Sequence, residues 1–82
     1  MTVTEFSPEQ ELDLRGTPCP VNFIRCKLML ERMTPGQVLA VTLDRGEPEA
    51  MVVPGLEQDG HRVEEEAGDQ HWVALRVTCG GG

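Results

Sequence analysis

The sequence predicts an α/β (α+β) fold, a two-layer βαβαββ sandwich in which two helices cover one face of a four-stranded mixed sheet. Three observations lead there. The spacing of apolar residues switches from two to three-and-four and back again along the chain. Glycine and proline clusters fall at each switch. The chain has 82 residues, 39% of them apolar, which is enough for one domain with a single modest core.

Residues 1–10, with Ser7-Pro8 and mixed polar side chains, read as a flexible leader, and the domain proper as residues 11–78. Glu11-Leu12-Asp13-Leu14-Arg15 alternates with period two and predicts a short strand ended by Gly16. A helix is expected from Pro20 to about Met33. Its apolar stripe is Phe23, Cys26, Leu30 and Met33, widened by Ile24 and Leu28, and Pro35-Gly36 stops it. Gln37 to Leu43 follows as the strand of most buried character, and Asp44-Arg45-Gly46-Glu47-Pro48 as a turn. Between Pro48 and Asp59 a second helix is expected, with Ala50, Met51, Val53 and Leu56 on its face and a kink or boundary at Pro54-Gly55. Gly60 ends it. Two strands, about His61 to Glu65 and His71 to Thr78, close the fold across Gly68-Asp69. The first crossover must be right-handed, which puts both helices on one face and leaves the other uncovered.

Charge and composition exclude several classes of function. The formal net charge is −7, and the seven Lys and Arg residues are scattered. Nucleic-acid backbones are bound by clustered cations, so direct nucleic-acid binding is not expected. Glu64-Glu65-Glu66 reads as a solvated face that could help steer a basic protein partner. No apolar run approaches the roughly 18 residues that cross a bilayer, and the first residues lack a secretory signal, so the expected address is cytoplasmic, without membrane partners. Cys19, Cys26 and Cys79 have neither disulfide-scaffold nor zinc-site spacing, which suits reduced thiols. Cys26 is expected to pack in the core, and His61 and His71 to be ordinary surface or edge residues. No cofactor and no metal are implied.

The chemistry concentrates at Thr17-Pro18-Cys19-Pro20. Each proline pushes the residue before it toward extended geometry, and Pro20 suits the first helical position, where its missing N–H costs nothing. Cys19 is then expected at the N-cap, its sulfur facing free amides and the positive end of the helix dipole, an environment that lowers a cysteine pKa. The amides of Val21 and Asn22 are the expected donors, while the Asn22 carboxamide is left for partner recognition. The competing reading is a rigid Pro-Cys-Pro turn with a buried thiol.

These residues carry a resemblance. Leu12-Asp13-Leu14-Arg15-Gly16-Thr17-Pro18-Cys19-Pro20, the helix with Lys27, Pro35-Gly36-Gln37-Val38-Leu39, Pro48 and Gly60-His61 resemble the TusA-like (SirA-like) family of small sulfur carriers over about residues 11 to 78. The resemblance implies the βαβαββ sandwich and makes Cys19 the persulfide-bearing cysteine, with Pro18, Pro20, Val21 and Asn22 in support. It also implies a sulfur-donor protein, such as a cysteine desulfurase or rhodanese-like enzyme, and an acceptor sulfurtransferase. The family signature is Cys-Pro-x-Pro, and here the fourth position is Asn22.

Two functional readings follow: a sulfur carrier or sulfurtransferase that relays a persulfide without a general base, and a regulatory or protein-interaction module of the same fold. The end of the chain, Cys79-Gly80-Gly81-Gly82, is expected to be a flexible tail. Cys79 could resolve a persulfide on Cys19, and the terminal glycines resemble those of ubiquitin-like carriers, which belong to a different class.

Overall fold

The computed structural model describes residues 10–80; residues 1–9, where most of the expected leader falls, and Gly81 and Gly82 lie outside the described residues. The elements are β1 (Gln10–Asp13), α1 (Val21–Glu31), β2 (Val38–Asp44), α2 (Glu47–Gln58), β3 (Arg62–Gly68) and β4 (Trp72–Thr78). The expected order is therefore observed, with one sheet in the order β1-β2-β4-β3. β1 runs parallel to β2, and β4 is antiparallel to both of its neighbours, which makes the sheet mixed. β4 inserts between β2 and β3, so the last of the described strands occupies the middle of the sheet.

The period-two pattern of the central strands decides which face is covered. Leu39, Val41 and Leu43 of β2 and Val73, Leu75 and Val77 of β4 alternate with half-exposed neighbours and are buried. Asn22, Cys26 and Leu30 of α1 and Val52 and Leu56 of α2 close over them. Leu14, just beyond β1, joins the same cluster, and its N–H donates to the Thr42 carbonyl at 2.8 Å.

Several expectations are corrected. α1 is shorter than the span from Pro20 to Met33, and its stripe is turned: Ile24 and Leu28, expected to widen the core face, are 46% and 55% exposed, while Asn22 takes the buried place at the start. α2 spans the whole of Glu47–Gln58 without breaking at Pro54 or Gly55. Pro54 is tolerated because Ala50, whose carbonyl would have taken its missing N–H, is itself exposed. The buried side of α2 is Val52 and Leu56 with Val53 half-buried, and Met51 points outward.

β3 runs past Glu65 to Gly68 and carries a bulge between Glu65 and Ala67. The acidic run along it is exposed, but each of its members meets a cation: Glu64 with Arg62, Glu65 with Arg45 at 2.9 Å, and Glu66 with Arg76. Arg45 also reaches Glu49 at 3.1 Å and so ties α2 to β3. Among the described residues no helix is long and apolar enough to cross a membrane.

Candidate functional site

The turn from β1 into α1 is built from local hydrogen bonds. Thr17 N–H donates to the Leu14 carbonyl at 3.0 Å, Asn22 N–H to the Pro18 carbonyl at 3.1 Å and Ile24 N–H to the Pro20 carbonyl at 3.0 Å. The first helical bond thus ends on Pro20, and Pro20 rather than Cys19 is the N-cap. The Cys19-Pro20 peptide is cis. Cys19 stands one residue outside the helix, half-buried and free of any disulfide.

The sulfur does have a donor, but not the expected one. The backbone N–H of Asn22 is taken by the Pro18 carbonyl, a stronger acceptor than sulfur. Instead the side chain of Asn22 turns back, and its Nδ2 donates to Cys19 Sγ at 3.3 Å. Its Oδ1 accepts the Phe23 N–H at 2.6 Å. A backbone N–H can only donate, so this contact fixes the carboxamide with its NH₂ end on the sulfur. Asn22 is fully buried, which holds that geometry by packing. Val21, expected to offer an amide, has its side chain 45% exposed on the outer side of α1. Pro18 supplies the carbonyl described above, and Pro20 lines the cavity beside the sulfur.

That cavity, about 280 Å³, lies between the start of α1 and the second half of α2. Cys19, Asn22 and Phe23 form one wall, and Met51, Gly55 and Asp59 another. Gly55 allows the two helices to meet, since a Cβ there would lie 2.7 Å from Phe23 Cε1. Asp59 is held by Lys27 of α1, Nζ to Oδ2 at 3.5 Å. Gly55 and Asp59 are not foreseen at this site by the sequence, which predicts a kink or boundary at Pro54-Gly55. A glycine inside a helical pattern is itself a signal of close approach.

The other two thiols have different surroundings. Cys26 is wholly buried in the core, as expected, and burial pushes its thiol up to about 11. Cys79 is not part of a tail. It is buried, its N–H donates to the Gln37 carbonyl at 2.8 Å, and its carbonyl accepts the Gly36 N–H at 2.8 Å. Its Sγ faces the Leu30 and Met33 carbonyls at 3.6 and 3.8 Å, beyond the opposite end of α1 from Cys19. The next residue is anchored as well: Gly80 N–H donates to His61 Nδ1 at 3.0 Å, so His61 has a structural partner. Among the described residues no group of three or more His, Cys, Asp or Glu side chains could hold a metal ion.

The fold and the position of Cys19 define a class: a small two-layer sandwich with a half-buried free thiol just before its first helix. The comparisons agree with that class. The family model described as sulfurtransferase TusA matches residues 10–78, and the chain belongs to this family. Two relatives both bear the name "Putative sulfur carrier protein". The one from Archaeoglobus fulgidus is 40% identical over 74 residues, covering 87% of this chain and 83% of the relative. The one from Thermotoga maritima is 31% identical over 72 residues, covering 85% and 91%. The crystal structure of a SirA-like protein from Desulfitobacterium hafniense shares the fold, with a TM-score of 0.75 and 24% identity over 87% of this chain and 97% of that one.

Proposed function

We propose that this chain is a cytoplasmic sulfur carrier that holds sulfane sulfur as a persulfide on Cys19 and relays it from a donor protein to an acceptor protein. Family membership supports the carrier role, and the observation that carries the residue assignment is the buried Asn22 carboxamide aimed at Cys19 Sγ. In the loading step the Cys19 thiolate attacks the outer sulfur of a donor persulfide. The donor's S–S bond breaks, a new S–S bond forms to Cys19, and the donor leaves as a thiolate; the outer sulfur keeps its hydrogen, and no oxidant or reductant is consumed. Unloading is the same exchange onto an acceptor thiolate.

Asn22 suits both states, because an N–H donor stabilises negative charge on sulfur and orients the side chain of Cys19. The cavity beside the thiol has room for the added sulfur, with Phe23 and Met51 as apolar walls that slow attack by dissolved thiols. The test is intact mass after exposure to glutathione persulfide. The wild type is expected to gain one sulfur atom, Cys19→Ser none, and a Cys26→Ala, Cys79→Ala variant the same as the wild type. A gain retained in Cys19→Ser would refute the assignment.

A further inference from the structure

The stripe of α1 that the core does not use has a spacing of its own. Val21, Ile24 and Leu28 recur at three and four residues and are 45%, 46% and 55% exposed, on the side of the helix opposite Asn22, Cys26 and Leu30. Three large aliphatic side chains aligned on solvent cost hydrophobic free energy that a monomer gains nothing from. The stripe begins two residues after Cys19, and Pro20 joins it to the wall of the thiol's cavity.

The cations give it a polarity. Arg15, Lys27, Arg45, Arg62 and Arg76 each have a carboxylate partner. Among the described residues, Arg25 and Arg32 are the Lys and Arg side chains with none; Arg25 lies on α1 and Arg32 is the residue that caps its C-terminal end. Arg25 lies one turn from Val21 and from Leu28, and Arg32 one turn beyond Leu28. In a chain of net charge −7 the unsatisfied positive charge is therefore gathered along the exposed apolar stripe.

We propose that this outer face of α1, with Ile24 and Leu28 as apolar anchors and Arg25 and Arg32 as charged flanks, is the docking surface for a protein that exchanges sulfur at Cys19. The partner's matching face is an apolar patch rimmed by carboxylates. Salt screens charges over about 8 Å, so the two arginines select local carboxylates whatever the net charges of the two molecules. An anionic membrane is disfavoured by the same charge inventory, because a bilayer presents its charge to the whole acidic molecule. Docking here sets the partner's sulfur beside the mouth of the thiol cavity. The proposal rests on the carrier reading of Cys19.

The test compares two sulfur sources by intact mass: a cysteine desulfurase supplied with cysteine, and glutathione persulfide, which has no docking face. Ile24→Ser with Leu28→Ser, and Arg25→Glu with Arg32→Glu, alter exposed side chains only. Both double variants are expected to load about tenfold or more slowly than the wild type from the desulfurase and at the wild-type rate from the small persulfide. Added salt should slow desulfurase loading of the wild type and leave that of the Arg25→Glu, Arg32→Glu variant nearly unchanged. Equal loading of wild type and variants from the desulfurase overturns the proposal. So does an equal loss from both donors, or a wild-type dimer that Ile24→Ser with Leu28→Ser dissociates, or binding to anionic phospholipid vesicles that the same variant abolishes. Failure of the wild type to load from the small persulfide would instead defeat the carrier reading itself.

Discussion

At Asn22 a polar side chain is fully buried, and both ends of its carboxamide have partners, one of them the sulfur of Cys19. Burying an amide is tolerable only when it is hydrogen-bonded, so the contact is maintained by the cost of breaking it. Asn22→Ala removes the donor to sulfur, and alkylation of Cys19 at neutral pH should slow by about fivefold, the equivalent of roughly 1 kcal/mol. Asn22→Asp keeps the shape but sets a carboxylate against the thiolate, and the rate should fall further, by roughly tenfold or more. Timed mass spectrometry of the alkylated protein reads both; equal rates in all three proteins would show that the side chain does not act on the sulfur. Cys26 gives a second outcome at this scale. Its folded-state thiol titrates near 11 rather than 9, so between those values the unfolded chain has lost a proton that the folded chain keeps. Raising the pH through that window favours unfolding, by roughly 2 to 3 kcal/mol in total. Urea midpoints of wild type and Cys26→Ala from pH 8 to 11 should converge as the pH rises, with the wild type losing the stability.

Among the elements, α1 has the proposed site at one end and packs against the sheet along its length. Leu30 is 2% exposed near the C-terminal end of its inner face, and Leu30→Ala should cost about 2 to 5 kcal/mol by chemical denaturation. Gly55 shows how α2 completes the site. Gly55→Ala gains about 1 kcal/mol in helix propensity, but the new Cβ would sit 2.7 Å from the Phe23 ring. The ring must swing, and the space it can enter is the cavity beside Cys19. Stability should change by less than about 1 kcal/mol either way while persulfide loading slows, a split that distinguishes a filled cavity from a weakened fold. Of the expected face of α2, Leu56 is buried and Val53 half-buried, while Val52 rather than Ala50 or Met51 completes the inner side. Met51 and Val52 are equally apolar, and periodicity says which residues share a side but not which side turns inward.

Over the whole molecule, the insertion of β4 between β2 and β3 means that the last described residues complete the middle of the sheet. Cys79 and Gly80 extend that strand and are fastened to Gln37, Gly36 and His61. A Cβ on Gly80 would overlap the Gly60 carbonyl oxygen, a backbone atom that cannot turn aside. Gly80→Ala should therefore detach this segment, lower stability by about 1 to 3 kcal/mol and expose the Cys79 thiol to alkylation, while Cys26 stays protected. Thiol counting on the folded variant checks it: continued protection of Cys79 would mean that Gly80 is not packed as described.

The sequence by itself determined the order of the elements, the buried alternation of β2 and β4, the packing of Cys26 and the singular position of Cys19 between two prolines. Each of these follows from residues within a few positions of one another, whose spacing and backbone restrictions act before any distant contact forms. Tertiary structure alone decided that Asn22 faces inward and bonds the sulfur through its side chain, that Met51 and Gly55 of α2 and Asp59 just beyond it wall the cavity, and that Cys79 is core rather than tail. It also left Ile24 and Leu28 in solvent although their hydrophobicity suited burial. The reason is that these outcomes depend on the rotation of a helix about its own axis and on which backbone acceptor reaches an amide first. Both are settled by the sheet beneath the helices, and no local pattern encodes them.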